Sequence, residues 1–128
     1  MGTGHNGGMD HRSTAELLAG LASVVAAPKD EGILALIVRR PAVDARESVD
    51  EAVLDLAAGL VGDSWPQRPS RDMADGSPHP DKQITVMNAR AAALIAGPSD
   101  RWPLAGDQLY VDLDIGVENL PAGTRLQL

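Results

Sequence analysis

The chain contains no cysteine and no phenylalanine. The first absence removes disulfides, thiolate metal ligands and cysteine nucleophiles together. The second, beside a single Tyr and two Trp, leaves the core to Leu, Val, Ile and Ala, with few large anchors. Basic residues are scarce as well: 11 Lys and Arg stand against 18 Asp and Glu, a net charge of -7. Binding a phosphate backbone needs clustered cations, so the balance argues against nucleic acid as a partner. No apolar run approaches the ~20 residues of a membrane span, and the opening MGTGHNGGMD lacks the apolar core of a secretion signal. No membrane partner is expected, and the expected location is cytoplasmic.

What is present amounts to about one domain in 128 residues, enough to bury roughly two-thirds of the unfolded surface. Residues 1–12 are Gly-rich and polar and are expected to be disordered. His5 and His11 lie there without a third fixed ligand, so they read as solvated side chains rather than a metal site. Ser13 and Glu16 have capping-box spacing, and Leu17, Leu18, Leu21, Val24 and Val25 follow on one helical face, up to Pro28. Ile33 to Val38 is a continuous apolar run with β-branched members between Gly32 and Pro41, which reads as a buried strand. A second capping box, Ser48 and Glu51, predicts a helix carrying Val49, Val53, Leu56 and Leu60, closed by Gly59.

A polar, Pro-rich stretch from Pro66 to Asp81 follows. A loop of that length inside a compact domain is often functional or mobile. Order resumes at Gln83 to Met87, and Asn88 can cap a short Ala-rich helix ended by Gly97 and Pro98. Gln108 to Asp114 alternates strictly, with Leu109, Val111 and Leu113 on one side and Tyr110, Asp112 and Asp114 on the other. Leu120 to Gly123 predicts a turn, and Thr124 to Leu128 a further strand, with Leu126 and Leu128 facing inward and a sheet edge left to pair. The chain thus reads as one partial domain over residues 13–128.

Several segments, taken in order, resemble a MOSC domain, the module shared with molybdenum-cofactor sulfurases. Gly59-Leu60-Val61-Gly62-Asp63, followed by Ser64-Trp65, is similar to that family's glycine-aspartate turn. His79-Pro80-Asp81-Lys82 before Gln83-Ile84-Thr85-Val86 is similar to its His and Asp-Arg/Lys segment. Gly106-Asp107-Gln108-Leu109, leading into Tyr110-Val111-Asp112, resembles its Gly-Glu/Asp-Asn-Leu strand start, with Gln108 where Asn is common. The resemblance spans roughly residues 33–128. It implies a mainly β, barrel-like fold with peripheral helices (α+β), expected to be incomplete here. The alternative is a small α+β domain of sheet plus helices. It also implies a link to molybdenum cofactor, an anionic pterin-type ligand, or to sulfur transfer from a carrier cysteine. That cysteine is absent, so sulfur transfer by this chain is not expected. Some family members are fused to a pyridoxal phosphate domain, and nothing in this chain resembles one.

The cofactor-binding candidates are accordingly Gly62, Asp63, Trp65, His79, Asp81, Lys82, Arg101, Gly106, Asp107 and Gln108, with no catalytic residue and no metal ligand. Gly62 and Asp63 shape either an anion-approach turn or a plain connection. Trp65 either stacks on a planar ring or covers the core edge. His79 can carry protons near neutral pH and Lys82 can meet a phosphate as a point charge, or both are exposed loop residues. Arg90 and Arg101 are further phosphate contacts or ordinary surface arginines. Asp107, Asp112 and Asp114 suggest a hard cation, although alternating acids more often mark the wet face of a sheet. Ser13, Thr14 and Ser48 read as caps rather than nucleophiles. Three functional readings follow: a cofactor-binding MOSC-type module without sulfur transfer; a non-catalytic interaction module whose open strand edge pairs with another chain or with a second copy as a homodimer; or an unrelated small acidic binding domain.

Overall fold

The computed structural model describes residues 12–127. The element order is α1 (Thr14–Val25), β1 (Ile33–Arg39), β2 (Glu47–Val49), β3 (Leu54–Asp55), β4 (Gly59–Leu60), β5 (Val86–Asn88), α2 (Ala89–Ala96) and β6 (Leu109–Asp112), with short 3-10 turns at Trp65–Gln67, Pro80–Lys82 and Ser99–Ala105. Four strands form one sheet in the order β2-β1-β6-β5, and β3 and β4 form a separate two-stranded hairpin. The strand runs around Ile33, Val86 and Leu109 do share a sheet, as the alternation and apolar runs suggested. That sheet is open, with β2 and β5 as its edges. The described residues form a mixed α+β fold and not a closed barrel.

Two of the three predicted helix starts hold, those at Ser13 and Asn88. Ser13 Oγ accepts from Glu16 N at 3.1 Å while Glu16 Oε1 accepts from Ser13 N at 3.0 Å, a complete capping box. Asn88 caps α2 through its side-chain oxygen, which accepts from Ala91 N at 2.9 Å. The two helices approach closely because Gly20 has no side chain: a Cβ there would lie 2.2 Å from Leu94 Cδ1. Arg12 Nε donates to Leu94 O and Arg90 Nη1 to Ser23 O, both at 2.9 Å, locking the contact. Arg12 is thus tied to the fold rather than part of a disordered leader; His5 and His11 lie outside the described residues. The Leu18, Leu21 and Val25 stripe of α1 is turned to solvent.

The sequence reading fails in one long segment. Residues 48–60 do not form a helix. Glu47–Val49 instead extends the sheet, pairing antiparallel with β1 in the register Ile37↔Val49 and Arg39↔Glu47, and Arg39 clasps the Glu47 carboxylate through Nε (2.9 Å) and Nη2 (2.6 Å). Downstream, Asp55 Oδ2 accepts from Ala57 N (2.9 Å) and Ala58 N (2.7 Å), making a tight turn that a helix could not contain. The Ser48–Glu51 capping box is therefore not used. A β-branched residue beside an existing apolar strand gains more from pairing than helical propensity offers.

Two smaller corrections concern burial and the terminus. β1 is not uniformly buried: Val38 is sealed, but Ile33 and Leu34 are exposed, and a register irregularity between Leu34 and Leu36 displaces the strand's first residues. The turn at Leu120–Thr124 forms, with Thr124 N donating to Pro121 O at 3.0 Å, yet residues 124–127 make no strand. An unpaired strand has nowhere to place its ladder hydrogen bonds.

The core sits between one sheet face and α2 with the following 3-10 turn. It comprises Val38, Ala89, Ala92, Trp102 and Tyr110. Tyr110, grouped by alternation with two acids on a presumed wet face, is fully buried. Its ring lies 5.8 Å from that of Trp102 at 37°, and its hydroxyl donates to Trp102 O at 2.8 Å. Trp102 Nε1 in turn donates to Gly97 O at 2.9 Å. One tyrosine is thus both the largest fully buried side chain and the source of the hydrogen bond that fixes the 3-10 turn. Tyr110→Phe keeps the ring and strands Trp102 O, so chemical denaturation should show a loss of about 1 kcal/mol with unchanged m-value.

Candidate functional site

β1 ends at Arg39, and the next residue, Arg40, just before Pro41, is delivered by the strand's end to the turn after β4. There Asp63 accepts three hydrogen bonds from Arg40: backbone N at 2.7 Å and Nε at 2.9 Å on Oδ1, and Nη2 at 2.8 Å on Oδ2, the last also closing the charge pair. The Asp63 side chain is 0% exposed and that of Arg40 11%. Trp65 N donates to Asp63 Oδ2 at 3.0 Å, and Ser64 N to Arg40 O at 2.8 Å. Gly62 makes the turn possible. Its φ is +94°, and a Cβ would meet Arg39 Cδ at 2.9 Å.

Burial alone would push the Asp63 carboxyl up. The Arg40 side chain, the Arg40 backbone N–H, the Arg40 charge and the Trp65 N–H together outweigh that, and the group titrates below its ordinary value.

From this pair the site extends in two directions. Arg40 Nη1 donates to Gly106 O at 3.3 Å, which brings the Gly106-Asp107-Gln108 segment beside the Gly62-Asp63 turn. Three of the five guanidinium N–H groups are then committed, and two remain for another acceptor. Burial raises the Asp107 carboxyl above its ordinary value, against the pull of the Arg40 charge and a hydrogen bond from Thr85. Gln108 is fully buried; its Oε1 accepts from Thr85 N at 2.8 Å, while Gln108 N donates to Thr85 Oγ1 at 3.1 Å. Its Nε2 is buried without a hydrogen-bond partner.

In the other direction, Trp65 Nε1 donates to His79 O at 3.1 Å. The indole therefore joins the two ends of the long 66–81 loop. His79 Nδ1 accepts from Asp81 N at 3.1 Å and so caps the next turn. Lys82 pairs with Asp72 at 3.1 Å on the exposed side of the loop.

Of the ten residues singled out from sequence, the structure brings together Gly62, Asp63, Trp65 and His79 on one side of Arg40 and Gly106, Asp107 and Gln108 on the other. Asp81 and Lys82 sit at the exposed margin. Arg101 does not join them; it lines a separate concavity of about 250 Å³ with Met87, Ile95, Trp102 and Leu104. Arg90 is held by Asp112 at 2.7 Å, and Asp114 pairs with Lys29. Among the described residues no group of three or more His, Asp or Glu is placed to hold a metal ion.

Two members were missed in the sequence, Arg40 and Thr85. An arginine at the end of an otherwise apolar strand, facing a Gly-Asp turn, was the available signal for the first; Thr85 acts through both its amide and its hydroxyl, and its place in a short alternating run left no signal. The chain was compared with family models, with curated proteins and with solved structures, and nothing matched in any of the three.

Asp63→Asn removes the counter-charge of a nearly buried guanidinium and should cost about 3–5 kcal/mol in denaturant unfolding, whereas the double change Arg40→Met with Asp63→Leu should recover much of the loss. The pH dependence has a definite sign. Because the folded-state value of Asp63 is depressed, its contribution is complete above its unfolded value of about 4 and disappears as pH falls through the lower folded value. The acid limb of the stability profile should therefore flatten in Asp63→Asn.

Proposed function

We propose that the chain is a MOSC-type module that binds an anionic, pterin-type ligand, molybdenum cofactor in the family it resembles, and that it carries no sulfur-transfer activity. The observation that supports this reading is the convergence on Arg40: two motif segments separated by more than 40 residues of sequence meet at one guanidinium, through Asp63 and Gly106. The donor set suits an anion bearing hydrogen-bond acceptors. Arg40 retains two uncommitted N–H groups, and Gln108 Nε2 is a buried donor lacking an acceptor, an arrangement that costs about 1–3 kcal/mol until one is supplied. Trp65, partly exposed and bonded through its backbone N–H to Asp63, offers a ring face on the Asp63 side of Arg40.

Arg40 would hold the anionic end of such a ligand, Gln108 would donate to a carbonyl or ring nitrogen, and Trp65 would cover the planar part. The cofactor, when bound, supplies the metal and dithiolene chemistry; the chain contributes position and charge. Arg40 is already balanced by Asp63, so Asp107 adds an uncompensated negative charge at the site when ionised. Its raised titration range lets it take up a proton as an anion arrives, which removes that repulsion. The chain has no cysteine, so no residue can carry a persulfide.

The test is titration of the purified chain with molybdenum cofactor released anaerobically from a molybdenum enzyme, followed by Trp fluorescence and melting temperature, with molybdate alone as the comparison. Binding should quench the signal in the wild type and not in Trp65→Phe, and it should raise the melting temperature. Affinity should rise as pH falls through the Asp107 range, and Asp107→Asn should bind more tightly at neutral pH with a flatter profile. An unchanged melting temperature in excess cofactor removes this reading.

A further inference from the structure

Arg40 has a second arginine for a neighbour. β1 pairs antiparallel with β2 in the register Ile37↔Val49, Val38↔Ser48 and Arg39↔Glu47. One step beyond the last paired residues, the same register sets Arg40 opposite Arg46. The short loop between them turns on Asp44, which holds a left-handed φ of +61°, a conformation Asp tolerates better than most residues. Ala45 N donates to Ala42 O at 3.1 Å within it. By alternation both arginines share the face of Val38, whose side chain packs in the core with Trp102.

The two side chains reach one turn. Arg46 Nε donates to Pro103 O at 3.2 Å and Arg40 Nη1 to Gly106 O at 3.3 Å, while Gly106 N itself donates to Pro103 O at 3.1 Å. The guanidinium groups therefore bracket a single 3-10 turn. The Tyr110 hydroxyl, bonded to Trp102 O beside it, senses both. Burial and then the Asp107 charge push that hydroxyl above its ordinary value, and the Asp107 N–H, Arg46 and Arg40 draw it back. Like charges set opposite each other at a strand pair are destabilising, and here only one is offset. Asp63 neutralises Arg40. Arg46 bonds main-chain carbonyls alone, those of Pro103 and Ala45, and no carboxylate among the described residues pairs with it. In a chain with 18 acidic residues, that omission is not a shortage of partners.

We infer that Arg40 and Arg46 together form a binding site for a phosphate dianion. Two N–H groups of Arg40 are uncommitted, and Arg46, with Nε and one Nη1 hydrogen in use, adds the remainder of its five. One guanidinium fork saturates a planar carboxylate, whereas a phosphate group presents three oxygens and nearly two charges at neutral pH, enough to engage two forks from different directions. Arg46 lies at the surface and the Arg40 side chain is 11% exposed, so the anion is met at the rim and need not be buried. Distant acids are screened beyond about 8 Å at physiological salt. This site shares Arg40 with the ligand site proposed above and rests on that reading of Arg40. Arg46, outside every sequence motif, is its new member, and phosphate is the ligand class it adds.

Isothermal titration calorimetry of the full chain with phenyl phosphate, inorganic phosphate and benzoate tests this. Both phosphates should bind at one saturable site, and benzoate more weakly. Phenyl phosphate binding tighter than inorganic phosphate assigns the site to a monoester of a larger molecule; equal or weaker binding assigns it to the free ion. Arg46→Met changes an exposed side chain, should keep the wild-type circular dichroism, and should weaken both phosphates by about ten- to a hundred-fold, the effect of losing a charge-assisted hydrogen bond. Arg46→Lys, a point charge without the fork, should fall in between. No saturable binding of either phosphate, benzoate binding as tightly as phenyl phosphate, or an affinity that Arg46→Met leaves unchanged overturns the site. A melting-temperature response to molybdenum cofactor, alongside phosphate binding that Arg46→Met does not alter, removes the arginine pair alone. Phosphate binding lost in Arg46→Met, with no response to the cofactor, removes the pterin reading alone.

Discussion

The Arg40–Asp63 ion pair is the constraint on which most of this structure depends. A carboxylate with no solvent exposure is tolerable only when its lone pairs are filled, and here a backbone amide, two guanidinium N–H groups and the Trp65 amide fill them. The geometry leaves the turn after β4 little freedom, so the hairpin, the indole and the start of the long loop are all positioned from the end of β1. The same guanidinium holds Gly106 O, linking the loop before β6 to the same point. Such a pair adds little net stability over an apolar replacement. What it provides is register: the end of β1, the turn after β4 and the loop before β6, three segments distant in sequence, can meet in only one arrangement.

That role matters more because the apolar core is slight. Its members are two alanines and a single valine around one Trp–Tyr contact, and alanine buries too little area to define geometry by itself. Shape-specific information is supplied instead by directional bonds, such as the Tyr110 hydroxyl, the Trp102 indole N–H and the Thr85–Gln108 exchange. The orphaned Gln108 Nε2 is the visible cost of building a buried region from polar parts.

How far the sequence could be read follows the same division. Local chemistry was legible: Ser13 with Glu16 and Asn88 announced their helices, and the alternation at Leu109 to Asp112 announced a strand, because caps and period-two patterns act over a few residues. The 48–60 segment was not. Val49, Val53, Leu56 and Leu60 satisfy a helical period, and what overrules it is the proximity of β1, a tertiary fact. Tyr110 was placed on the wrong face for a related reason. Alternation separates two faces without saying which is covered, and the adjacent aspartates suggested water, whereas Asp112 is neutralised by Arg90. At the candidate site the Gly-Asp turn and the Gly106–Gln108 segment were visible as motifs, but the residue that joins them was hidden in an apolar strand. Arg101, promising by composition, belongs to a different concavity.

The central strand pair has a consequence for how the chain reaches this state. β1 and β6 are neighbours in the sheet but lie about 70 residues apart in sequence, and closing so long a loop must precede any reward from the pairing. During synthesis the apolar Ile33–Val38 run leaves the ribosome well before its partner exists. It must wait, with only the short β2 segment to shield it, in the interval when sticky strands are most prone to mispair. The sparse aromatic content of this chain, which limits the finished core, also lowers the adhesiveness of that waiting intermediate.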